Sequence, residues 1–190
     1  MNYNPKNYHR HSIRLKEYDY SQPCWYYVTI CTYNKKCLFV QILNNKMILN
    51  EFGKIVEEEW LRTKVIRKNI DLDYYVIMPN HLHGIIIIEN KIIIQSDVGV
   101  NCNSHLHIDE IKRNKLISTI QIIGAIIRGL KGSVTKKINE QRNTPSLPVW
   151  QRNYYEHILR NEMDLYCTRN YIQNNPLKWK LDELFNGENK

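Results

Sequence analysis

Apolar positions fall into two regimes along the chain. Between residues 24 and 89 they come in short, dense runs, and from 116 to 138 they step by three and four. Trp25 to Thr32 is rich in Tyr, Val, Ile and Thr, which suit a pleated, half-buried surface, and predicts a strand. Cys37 to Leu49 reads as a short strand pair turning at Asn44-Asn45. Asn50 stands as an N-cap, and Ile55, Val56, Glu59 and Trp60 give helical spacing out to about Arg67. Tyr74 to Met78 predicts a second strand, Pro79-Asn80 a turn, and His81 to Glu89 a third strand. The run Ile85 to Ile88 marks that strand as buried rather than as an alternating edge.

Residues 90–114 lose periodicity and read as a loop insertion. Leu116, Ile120, Ile123, Ile127, Leu130, Val134 and Ile138 then predict one amphipathic helix. Pro145 and Pro148 break the chain. A shorter helix is expected around Tyr154 to Arg160, and another from Met163 to Asn175, stopped by Pro176. Residues 177–190 are a polar tail and residues 1–20 a basic arm; the 190 residues together fit one domain.

Composition narrows the partner more than the fold. The formal charge is +8 and the pI about 9.2, which favours a polyanion, nucleic acid first. In the arm, Arg10 and Arg14 stand among tyrosines, a mixture suited to backbone and base contacts. From residue 110 to 142 there are eight Lys/Arg against two acidic residues, and Arg128, Lys131, Lys136 and Lys137 lie mostly off the apolar stripe. A merely solvated face is the plainer reading; the sign imbalance favours DNA contact. Cys24, Cys31, Cys37, Cys102 and Cys167 are odd in number and form no C-x-x-C pair, which argues against a disulfide framework and a cysteine zinc site. No apolar run approaches the ~18 residues of a membrane span. The N-terminus shows no apolar signal core, so a cytoplasmic protein is expected.

Three patterns carry chemistry. His81-Leu82-His83 lies on an expected strand, where residues i and i+2 share a face, so two imidazoles project side by side as metal ligands do. His105-Leu106-His107 repeats the triplet inside the polar insertion and reads as a surface loop. Tyr171 and Asn175 are four apart and share a helical face. A tyrosine can act as a covalent nucleophile, and two imidazoles with an amide oxygen suit Mg²⁺ or Mn²⁺. Trp150 to Arg160 mixes aromatic and basic groups; there Arg152, and His157 with Arg160 on one helical face, could hold a phosphate or a base. Gly124 to Gly129 begins like a phosphate-binding loop, but Leu130 replaces the required Lys, so no nucleotide cofactor is expected.

The combination resembles a known family. The arm Arg14 to Tyr20, the strand Tyr26 to Thr32, Val76-Ile77-Met78-Pro79-Asn80-His81-Leu82-His83-Gly84, Trp150 to Arg160 and Tyr171 to Pro176 are similar to the REP-associated tyrosine transposases, a branch of the single-tyrosine HUH transposases. The resemblance implies an α+β, ferredoxin-like core with a central antiparallel sheet carrying the histidines and helices on one side. It implies His81, His83 and Asn175 as metal ligands and Tyr171 as nucleophile. It further implies cleavage and rejoining of single-stranded DNA near hairpins through a 5′-phosphotyrosine. Two other readings are an HUH nicking nuclease of replication initiation and an inactive nucleic-acid-binding protein. The short connection from Trp150 to Tyr171 favours a monomer with Tyr171 working on its own histidines.

Overall fold

The computed structural model describes residues 24–43, 46–89, 123–182 and 184–185. The elements run β1 (Cys24–Cys31), β2 (Val40–Leu43), β3 (Lys46–Leu49), α1 (Glu51–Ile66), β4 (Ile70–Met78), β5 (His81–Ile88), α2 (Ile123–Gln141), β6 (Tyr155–Leu159), α3 (Glu162–Asn174) and a closing 3₁₀ turn (Pro176–Leu181). Arg10, Arg14, the 90–114 insertion with His105 and His107, and Leu116 and Ile120 lie outside the described residues.

β4, β5, β1 and β6 form one antiparallel sheet in that spatial order, and β2 pairs with β3 as a separate hairpin. Setting the hairpin aside, β1-α1-β4-β5-α2-β6 in this arrangement is the ferredoxin-like α+β fold that was expected. Asn50 caps α1, its side-chain oxygen accepting from Gly53 N at 2.9 Å. No helix among the described residues is long and apolar enough to cross a membrane.

Strand alternation divides the core in two. Tyr26, Val28 and Ile30 of β1 and Leu82, Ile86 and Ile88 of β5 pack with Val56 and Trp60 of α1 and the Ile127, Leu130, Val134 and Ile138 stripe of α2. The opposite face gathers Trp25, Tyr27, Val76, Ile85 and Leu159 under Leu165 and Ile172 of α3. The two long helices thus share one face, but α3 covers the other, which departs from the expectation of helices on one side. The reason is in the isoleucine run: β5 buries residues on both faces, so the second face also needs a cover.

A second departure concerns Tyr154 to Arg160. Instead of a helix, Tyr155–Leu159 is an edge strand, paired with β1 from Thr29↔Tyr155 to Trp25↔Leu159. So short a run does not separate a period of 2 from one of 3.6, and the vacant edge of β1 decides. His157 and Arg160 are therefore not neighbours on a helical face.

Candidate active site

β5 opens on the histidines. Their i, i+2 spacing puts both rings on the α3 side of the sheet, with centroids 4.4 Å apart and both side chains buried. β1 supplies the partners of one. Thr29 lies opposite His83, and His83 Nδ1 stands 2.8 Å from Thr29 Oγ1 and 2.7 Å from Tyr27 Oη. The turn before β5 supplies the other, since His81 Nδ1 stands 2.8 Å from Asn80 Oδ1. Burial pushes both imidazoles down to about 3, helped at His81 by the charge of Lys35 and at His83 by His81; Asp182 opposes the shift at His83. Both rings are therefore neutral at pH 7, as metal-ligating imidazoles must be. His81 Nε2 is buried and has no hydrogen-bond partner.

α3 brings the tyrosine. Asn161 caps it, accepting from Asp164 N at 2.8 Å, and Leu165 and Ile172 seat it on the sheet. Arg169 fastens it to β4, its Nε and a terminal nitrogen donating to Asp73 Oδ2 at 2.9 and 2.6 Å. On the next turn Tyr171 is half exposed, its hydroxyl 3.5 Å from His83 Nε2 and its ring centroid 5.3 Å from the imidazole. Tyr27 also reaches His83, on the Nδ1 side, but burial raises its phenol above the ordinary value and keeps it protonated. Of the two, Tyr171 is the one open to an incoming strand.

Asn175 ends α3 and is buried. Its Nδ2 donates to Asp182 Oδ2 at 3.0 Å, while its Oδ1 is buried without a partner. Asp182 follows the 3₁₀ turn, and one ligand atom from each of His81, His83 and Asp182 lies within 4.8 Å of the others. Two neutral imidazoles, one of them with its Nε2 bare, one carboxylate and a bare amide oxygen are a donor set that fits a divalent cation.

No family model matches the chain. A Haemophilus influenzae protein of uncharacterised function is 42% identical over 183 residues, which span 96% of this chain and 97% of that one. A solved REP-associated tyrosine transposase bound to a REP hairpin superposes with a TM-score of 0.54 at 16% identity, covering 84% of this chain and 70% of that one. The chain belongs to the family of the Haemophilus protein, and its fold is that of the REP-associated tyrosine transposases.

Within this transposase fold, His81, His83, Tyr171 and Asn175 stand together. Asp182 joins them from the segment the sequence presents as a polar tail, with no periodic signal to mark it. Asn80, read from the sequence as a turn residue, Tyr27 and Thr29, read as strand residues, and Arg169 were given no site role by the sequence. His157 is exposed on β6 opposite Tyr27, on the histidine face; Tyr155, opposite Thr29, is 53% exposed with its ring 6.3 Å from that of Tyr27. Arg152 and Arg160 are exposed on either side of β6. Arg128 and Lys131 belong to α2, across the sheet from the histidines. Lys131 Nζ donates to the backbone carbonyls of Gln151 and Asn153 at 2.7 and 2.9 Å, and burial lowers it to about 8. Lys137 pairs with Glu58 and the buried Glu59 at 3.0 and 2.8 Å, joining α2 to α1.

Proposed function

We propose that this protein is a metal-dependent endonuclease and strand transferase of single-stranded DNA. It acts near hairpins as a transposase does, through a 5′-phosphotyrosine on Tyr171. The observation that carries this reading is the approach of the Tyr171 hydroxyl to within 3.5 Å of a buried, neutral histidine pair. The hairpin-bound transposase of like fold supports the choice of substrate.

His81, His83 and Asp182, with Asn175, would hold a Mg²⁺ or Mn²⁺ ion. When bound, that ion supplies the positive charge that offsets the charge developing on the phosphate oxygens. Tyr171 Oη attacks the phosphorus, forming the P–Oη bond as the bond to the 3′ oxygen breaks. The phenol proton is lost and the 3′ oxygen gains one. Rejoining reverses the exchange with an incoming 3′-OH, so one ester replaces another and no nucleotide is consumed. Tyr27 and Thr29 hold the His83 ring in place, and Arg169 holds the helix that carries Tyr171. The exposed Tyr155 offers a surface on which a base can stack, with His157, Arg152 and Arg160 placed for phosphates. We assign Lys131 to bracing the Gln151 to Asn153 backbone beneath that surface and Arg128 to the far face; Arg10 and Arg14 remain assigned to DNA contact. Because Tyr171 reaches His83 of its own chain, a monomer working in cis is the form we propose, and a cytoplasmic location remains part of the proposal.

The test is incubation of end-labelled single-stranded hairpin DNA with the protein and Mn²⁺, resolved on a denaturing gel. The reading expects a fragment with a free 3′-OH, a protein-linked partner fragment, and neither in EDTA. Tight binding without cleavage would make the protein a DNA-binding module instead.

A further inference from the structure

Asn80 is fully buried in the turn between β4 and β5, and its side chain spends every polar atom. Its Nδ2 donates to two backbone carbonyls, Lys35 O at 3.2 Å and Leu184 O at 2.7 Å. Its Oδ1 faces His81 Nδ1 at 2.8 Å. Its backbone carbonyl accepts from Thr32 N at 2.9 Å and Thr32 Oγ1 at 3.1 Å, which anchors the residue to the end of β1.

These contacts fix the amide's orientation. Turned over, the side chain would set its oxygen against two carbonyl oxygens and its NH₂ against the imidazole. As it stands, Oδ1 can only accept, so His81 Nδ1 must be the protonated nitrogen. A neutral imidazole carries a single N–H, which leaves Nε2 as a bare lone pair, and Nε2 is the buried nitrogen without a partner. His83 is different. Its Nδ1 faces the hydroxyls of Tyr27 and Thr29, and hydroxyls both donate and accept, so its neighbours admit either tautomer.

We propose that Asn80 is a positioning residue that commits His81 to the metal-ready tautomer, and that the segment ending in Leu184 and Phe185 sets Asn80 in turn. The relay runs from Leu184 O to Asn80 Nδ2, and from Asn80 Oδ1 to His81 Nδ1. Trp179, from the same segment, lies against the His81 ring at 6.0 Å between centroids and packs on Phe185 at 5.2 Å. Asp182 belongs to that segment as well, so one stretch of chain brings a carboxylate to the site and orients the histidine beside it. The metal role rests on the proposed function; the tautomer does not.

The test reads the tautomer directly. Long-range ¹H–¹⁵N spectra of the ¹⁵N-labelled, metal-free full chain at pH 7 should show His81 protonated at Nδ1. Asn80→Ala should move it to the Nε2–H form or a mixture and weaken Mn²⁺ binding by about 10- to 100-fold, as loss of an outer partner of a metal-bound histidine does. An Nε2–H His81 in the unsubstituted protein overturns the proposal, and so do an unchanged tautomer and Mn²⁺ affinity in a folded Asn80→Ala. Should that variant not fold, the tautomer of the unsubstituted protein decides alone. A protein that shows the Nδ1–H form yet never cleaves DNA would sink the proposed function and leave this inference standing.

Discussion

His81 and His83 tie the stability of the fold to pH. Their pKa values near 3 lie below the ~6.5 of an unfolded histidine, so between those limits the unfolded chain binds more protons. The stability they confer is whole above about pH 6.5 and is lost as pH falls towards 3. Thermal unfolding of the metal-free protein should therefore show Tm falling from pH 7 to 4, with a shallower slope in the His81→Gln, His83→Gln double variant. Equal slopes would mean that the rings are not buried neutral. Asp182 makes the second prediction at this scale. Its carboxylate brings charge that Asn175 lacks, so Asp182→Ala should weaken Mn²⁺ binding by about tenfold or more in calorimetry, and by more than Asn175→Ala. A larger loss at Asn175 would restore the amide as the leading oxygen ligand. The placing of the histidine pair, Tyr171 and Asn175 in one region was legible from regular spacing, i+2 on a strand and i+4 on a helix, together with the family resemblance of the motifs around them. Asp182 was not, since it reaches the site at the end of a 3₁₀ turn that no period encodes.

At the scale of elements, β5 is held by a close approach from α1. A methyl group built at Gly84 would stand 2.6 Å from Trp60 Cη2, and Trp60 is fully buried. Gly84→Ala should cost about 1–3 kcal/mol through overpacking, several degrees of Tm, and should disturb the neighbouring His83. A variant as stable as the parent would show that α1 yields freely. Arg169 is the corresponding tie on the other face. Arg169→Ala should slow cleavage more than it weakens Mn²⁺ binding, because it loosens the helix bearing Tyr171 while His81, His83 and Asp182 stand on other segments. Parallel losses in both would assign it a general structural role. Most elements were visible in the pattern, including the β2 and β3 pair and the α2 stripe; the expected turn at Asn44-Asn45 lies outside the described residues. β6 was not, because its identity as a strand comes from β1, a partner more than a hundred residues away in sequence.

For the whole molecule, the ferredoxin-like arrangement was legible through the family resemblance and not through the order of elements, which lacked β6, whereas the two-sided cover of the sheet followed only from the packing of α3. That cover sets the proposed DNA surface on the face of β6 and α3. Binding to single-stranded hairpin DNA should weaken with salt, log K falling with log [salt] by about 0.7 per phosphate contacted. Arg152→Ala and Arg160→Ala should each flatten that slope, and Arg128→Ala should change it less; the reverse order would move the DNA to the α2 face. The Tyr171 contact within one chain also predicts that a mixture of Tyr171→Phe with the His81→Ala, His83→Ala variant stays inactive, whereas restored cleavage would show exchange of α3 between subunits.

Whether Tyr171 takes the strand is decided by mapping the covalent adduct. The protein is incubated with single-stranded hairpin DNA and Mn²⁺, digested with nuclease and protease, and the peptides are read by mass spectrometry. A nucleotide joined to Tyr171 is expected, and no adduct in Tyr171→Phe. An adduct on Tyr27, Tyr155 or any other residue, or cleavage without an adduct, would contradict it.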